Sequence, residues 1–140
     1  MPFSTQKSFS GTWTYRSLLN NPDLKVDFNS LEFGRANLLI EELEPGILSG
    51  EIFDTGWKLD LHGSIQYGNP PMLWFQGSGV VDGAKWVYDY LCYLVPHIPN
   101  GVDQVRAMVG NVTRAIPHPN GQGGTSAAGV VCSFYAVFQK

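Results

Sequence analysis

Four turn sequences follow one another through the middle of the chain, and their spacing limits what it can fold into. Glu44-Pro45-Gly46 suits a type II turn: proline presets φ at the first central position and glycine accepts a positive φ at the second. Asp54-Thr55-Gly56 is a short Asx/Gly turn. Tyr67-Gly68-Asn69-Pro70-Pro71 is a longer one, because two prolines cannot donate to a strand ladder. Val81-Asp82-Gly83 carries the Asp-Gly pair that favours a type I′ hairpin. The segments between them run 7 to 11 residues and are rich in Ile, Leu, Val, Trp, Tyr and Phe. Short strands at this spacing read as a meander, sandwich or barrel. Extended outward, the pattern predicts eight strands: Phe9–Leu18, Leu31–Leu43, Ile47–Phe53, Trp57–Gln66, Met72–Val80, Lys85–Val95, Val105–Ile116 and Ala127–Phe138.

Composition excludes several classes of function. Charged residues are only 15% of the 140, and the formal net charge is −3. Without a basic excess the chain has little with which to displace the counterions condensed on a phosphate backbone, so nucleic acid is not an expected partner. No apolar run approaches the ~20 residues of a membrane helix. The longest, Ala127 to Phe138, is broken by Gly129 and Ser133. The opening MPFSTQKSFSG lacks the apolar core of a secretion signal, which points to the cytoplasm. In that compartment Cys92 and Cys132, each inside an apolar run, read as reduced, buried thiols.

Side-chain alternation adds the faces. In the fourth strand Leu59, Leu61 and Ile65 point one way, while Lys58, Asp60, His62, Ser64 and Gln66 point the other. The sixth strand is apolar on both sides, with Trp86, Tyr88, Tyr90, Cys92 and Leu94 facing Val87, Leu91, Tyr93 and Val95 across the pleat; Asp89 shares the second set. The eighth is apolar on both sides as well. Two-sided apolar strands need cover on both sides, which predicts a homo-oligomer, most simply a dimer. Between residues 102 and 112 a helical spacing of Val102, Val105, Met108, Val109 and Val112 competes with Gly110 and the β-branched residues. The expectation is strand from about Val105, with a helical turn before it left open.

Phe9-Ser10-Gly11-Thr12-Trp13 resembles the G-x-W opening of calycin barrels, the lipocalins and avidins. Gly46-Ile47-Leu48-Ser49-Gly50 looks like the start of an avidin-type third strand. The order of strands and turns is similar to streptavidin-like barrels. The resemblance implies an all-β fold: a single eight-stranded antiparallel up-and-down barrel over residues 1–140, with a pocket inside. It also implies that Arg114 could close the barrel floor by stacking on Trp13. The tryptophans and late aspartate with which avidins hold biotin do not align, so biotin is not an expected ligand. Closure has its own physical reason, since it removes the edge strands that a flat meander would expose. Eight strands leave an interior just wide enough for side chains or one small ligand.

The candidate ligand-binding residues follow from this frame. Trp13, Tyr15, Trp74, Trp86, Tyr88 and Tyr90 lie in strands and either fill a core or line a pocket. Ser17 shares the phase of Trp13 and Tyr15, which would turn all three inward. Asp89 sits between two tyrosines. It is either an outer-face carboxylate paired to a cation or a buried proton-transfer group. Arg35 and Arg114, mid-strand among apolar neighbours, are its natural partners or anchors for an anionic ligand.

The echo of Pro96-His97-Ile98-Pro99 and Pro117-His118-Pro119 invites a metal site, but in a meander these loops cap opposite ends of one strand. No metal is expected, and nothing calls for a cofactor. Asn120-Gly121-Gln122-Gly123-Gly124-Thr125 lacks the lysine and helix of a P-loop and reads as a lid over one barrel mouth. The expected function is binding of a small apolar or aromatic molecule. Two alternatives stay open. One is a small barrel enzyme, a cyclase or isomerase, moving a proton through an Asp, Tyr or Arg group. The other is a structural module with a filled core.

Overall fold

The described residues of the computed structural model, 9–139, form a closed antiparallel barrel of eight strands. The elements are β1 Gly11–Leu19, α1 Phe28–Leu31, β2 Glu32–Glu44, β3 Ile47–Asp54, β4 Trp57–Gln66, β5 Met72–Val81, β6 Ala84–Leu94, β7 Ala107–Arg114, β8 His118–Pro119, β9 Thr125–Ser126 and β10 Val131–Phe138. The barrel order is β1-β10-β7-β6-β5-β4-β3-β2, and β2 pairs β1 to close it. β8 and β9 make a separate two-stranded ribbon. The opening octet MPFSTQKS, read above as free of a secretion signal, lies outside the described residues. Among the described residues no helix is long and apolar enough to cross a membrane.

The turns form where the sequence places them, because their chemistry is local. Asp82 and Gly83 both have positive φ, 51° and 80°, as a type I′ hairpin requires. In β4, Leu59, Leu61 and Ile65 are buried while Lys58, Asp60, His62, Ser64 and Gln66 are exposed. Gly63 and Gly110 occupy inward positions where neighbouring strands crowd together. A Cβ at Gly63 would lie 2.0 Å from the Trp74 carbonyl oxygen, and one at Gly110 1.9 Å from that of Leu91. Glycine in a strand marks such a close backbone approach.

Most strand ends fall within one or two residues of the sequence reading, and three segments differ in ways that have a clear cause. The last strand starts at Val131, not Ala127: Gly129 turns the chain at φ 86°, and its N–H donates to the Arg114 carbonyl at 2.8 Å. β7 covers Ala107–Arg114 rather than Val105–Ile116. No helical turn precedes it, because the Gln104 side chain bonds both the N–H and the carbonyl of Ile98, each at 2.7 Å, and holds an irregular loop. Residues 28–31 are a short helix instead of coil leading to a strand at Leu31. Asp27 caps it by accepting from the Asn29 N–H at 3.1 Å.

The antiparallel order gives the barrel two unlike ends. At one end lie the start of β1, the β2–β3 and β4–β5 turns and the end of β10. Here Trp13 and Phe9 are fully buried, and the Trp13 indole N–H donates to the Phe9 carbonyl at 3.0 Å. Phe138 meets Trp13 edge-on at 5.3 Å, and the Arg106 guanidinium lies 4.5 Å over the Phe138 ring. This end is the floor. The waist above it is filled by Tyr15, Phe75, Tyr90 and Phe134, with ring centroids 4.8 to 6.1 Å apart. At the opposite end the β3–β4 and β5–β6 turns and the 115–130 connection surround a mouth.

Candidate functional site

The interior is not filled to the mouth. Above the aromatic waist lies a cavity of about 250 Å³, bounded by inward side chains of β1, β2, β3, β4, β6 and β7. Tyr15 and Ser17 come from the end of β1. Phe33 and Ala36 come from the start of β2, Ile52 from β3, Trp57 and Leu59 from the start of β4. Trp86, Tyr88 and Tyr90 come from β6, and Val112 from β7. Strand ends supply these residues because each strand delivers alternate side chains inward until the mouth is reached. The lining is aromatic and aliphatic with a few hydroxyls, the usual make-up of a small-molecule site.

Five of the ten residues singled out from sequence therefore meet with their side chains around one space: Tyr15, Ser17, Trp86, Tyr88 and Tyr90. The other five do not. Trp13 belongs to the floor, on the far side of the waist. Trp74 is an outer-face residue, 45% exposed, because the neighbouring Phe75 turns inward to stack on Tyr90 at 4.8 Å. Asp89 is also exposed, and its partner is neither arginine: the Gln76 amide donates to its carboxylate at 2.8 Å across the β5–β6 ladder. Arg35 borders the cavity, but its guanidinium is exposed and paired with Glu32 at 2.7 Å. Glu32 also holds Arg16 at 2.7 Å, and the two hydrogen-bonded arginines keep its carboxyl below the usual range. Arg114 does not stack on Trp13. It lies at the opposite end, 5.0 Å over the Phe33 ring and 5.7 Å over Tyr88.

Arg114 begins a hydrogen-bonded chain at the mouth. Its Nε–H donates to the Tyr88 phenolic oxygen at 2.9 Å. Tyr88 lies 2.8 Å from Nε2 of His118, whose Nδ1 lies 2.9 Å from the Pro119 carbonyl. A carbonyl only accepts, so Nδ1 carries the proton; in the neutral ring Nε2 then accepts from the Tyr88 hydroxyl. The His118 ring is buried and stacks on Trp86 at 3.9 Å, with only 10° between the planes. The β8–β9 ribbon delivers it there. The glycine-rich stretch 120–124 is the ribbon's tight turn, and Asn120 Oδ1 accepts from the Gln122 and Gly124 N–H groups. Those amides are spent on the turn itself.

His118 is the residue that sequence reasoning missed, having read it as part of a rigid Pro/Asn-Gly turn. Its burial depends on where a loop docks, which no local pattern encodes. Trp57 was within reach: it shares the odd-numbered phase of Leu59 and Leu61. Phe33 was not, since the register irregularity between Ser17 and Leu18 opposite it breaks simple alternation.

Burial dominates the titration of the interior groups. It pushes Tyr90 well above the usual phenol range and raises Tyr15, where a hydrogen bond with Ser17 opposes the shift. Tyr88 is raised by burial against the opposing hydrogen bond from Arg114. The buried Cys92 thiol is pushed up to about 12 from 9.0. All four groups are more easily ionised in the unfolded chain. The stability they contribute is complete below their unfolded pKa values and is lost as pH climbs toward the folded ones. Urea midpoints are expected to hold from neutral pH to about 9 and to fall between pH 9 and 12, the window set by Cys92. A midpoint unchanged across that window would show these groups to be solvated.

No protein-family model, curated protein or solved structure matches this chain.

Proposed function

We propose that this protein binds one small, largely apolar aromatic molecule in the cavity at its mouth, in a barrel of the calycin type. The observation that carries this reading is the cavity itself: about 250 Å³ walled by Phe33, Trp57, Trp86 and Tyr88, above a waist that its own rings already fill. The volume falls just under the ~300–1,000 Å³ of drug-sized ligand pockets, which favours a guest of one or two rings. The G-x-W motif at the closed floor supports the calycin assignment. Exposed Trp74 and Tyr93, on adjoining outer strands, support a dimer.

Native mass spectrometry of freshly purified protein tests the reading. The expected spectrum shows a chain, or a pair of chains, carrying a releasable small molecule. A bare chain whose melting temperature ignores a panel of small aromatics would overturn binding in favour of a filled structural barrel. A second reading, a small isomerising or cyclising enzyme, draws on the Arg114–Tyr88–His118 chain, which joins the cavity wall to a histidine. Asp89 has no part in it from the outer face. Re-incubating the released molecule with fresh protein separates the two: a binder returns it unchanged, and an enzyme returns an isomer.

A further inference from the structure

We infer that the guest is a planar aromatic anion, a one- or two-ring carboxylate whose rings enter the cavity and whose carboxylate meets the Arg114 guanidinium, which stands over Phe33 and Tyr88 of the lining. This rests on the binding reading above and adds the guest's charge.

The charge inventory around the mouth points there. Arg16 and Arg35 share Glu32, and Lys58 lies near Glu51 and Asp60. Arg114 has no carboxylate within ion-pair distance among the described residues. Its bonds go to neutral acceptors, Nε to the Tyr88 oxygen and Nη1 to the Ala127 carbonyl at 3.1 Å. It is also only partly solvated. A partly buried cation without a counter-ion pays a desolvation cost that an arriving anion offsets. The guanidinium presents a planar fork suited to two carboxylate oxygens, and Nη2 makes no hydrogen bond to a described residue.

The cavity lining, which includes Arg35, agrees in sign. No acidic side chain lines the cavity. Beside it Arg16 and Arg35 face Glu32 and Asp54, two positive charges against two negative, which leaves Arg114 as the cation there without a carboxylate partner among the described residues. An aromatic cation is disfavoured, because Arg114 already lies over the Phe33 and Tyr88 rings that would receive it.

Isothermal calorimetry on the full chain tests this with three probes that share one ring system: 2-naphthoate, 2-naphthalenemethanol and 2-naphthylmethylammonium. The expected order places the acid about tenfold or more ahead of the alcohol, with no heat from the ammonium compound. Arg114→Met is expected to weaken 2-naphthoate about ten- to hundredfold and to leave the alcohol within about twofold. Arg114→Lys should recover part of the difference, since it keeps the charge without the fork. The wild-type comparison stands even where Arg114→Met fails to fold. An alcohol bound as tightly as the acid would overturn the anionic guest and leave aromatic binding intact. Silence from all three probes would overturn both.

Discussion

Replacing Ala36 by phenylalanine is expected to abolish capture of a small aromatic guest, with a loss of about a hundredfold or more in affinity, while the barrel stays folded. Ala36 lies on the inner face of β2, in phase with buried Leu38 and Ile40 and opposite Tyr15 of β1. It lines the cavity of about 250 Å³, so a benzyl group there enters space that is now open. Overpacking a filled core costs about 1–3 kcal/mol; filling a void adds contacts and offsets part of that. Calorimetry with 2-naphthoate and a thermal melt give the two readouts. Wild-type affinity in a folded Ala36→Phe variant would remove the guest from this cavity.

The largest stability loss is expected at the floor. Trp13→Ala should cost about 3–5 kcal/mol, the range for deleting a fully buried large ring, and lower the melting temperature by about 10–20 °C. Trp13 has no exposed surface, donates to Phe9 and supports Phe138 edge-on, so its removal leaves a hole at the end where the barrel closes. Against a total stability of about 5–15 kcal/mol such a loss brings the chain close to unfolding at physiological temperature. Trp74→Ala is the matched control. That indole also sits in a strand but is 45% exposed on the outer face, and in the dissociated single chain, at a dilution where no dimer forms, its loss should cost under about 1 kcal/mol. Equal losses from the two substitutions would contradict the separation of floor from outer wall.

Trp13 and Trp74 also mark how far the sequence reaches. Both stand in apolar strands, and nothing near either in the chain says which meets solvent. In β4 the question has a local answer, because Lys58, Asp60 and His62 alternate with Leu59 and Leu61. In β5 and β6 both faces carry apolar residues, so a one-residue change of phase costs nothing that local pattern records. Closure decides it: Phe75 and Tyr90 stack inside the waist, which sends Trp74 and Asp89 outward. The arginines follow the same rule. Their apolar setting offered each the Asp89 carboxylate or an anionic ligand; the structure gives Arg35 to Glu32 past an irregular register and Arg114 to the Tyr88 oxygen on another strand, with Asp89 bonded to Gln76 instead.

The hairpin turns, the eight strands of the barrel and the all-β class were determined by the sequence alone, because proline, glycine and Asp-Gly pairs act on the φ angles of their own few residues. The tertiary structure alone decided the inside of the tube, the docking of His118 on Trp86 and the space left at the mouth. Those depend on summed side-chain volumes meeting across strands far apart in the chain, a quantity no short stretch of residues contains.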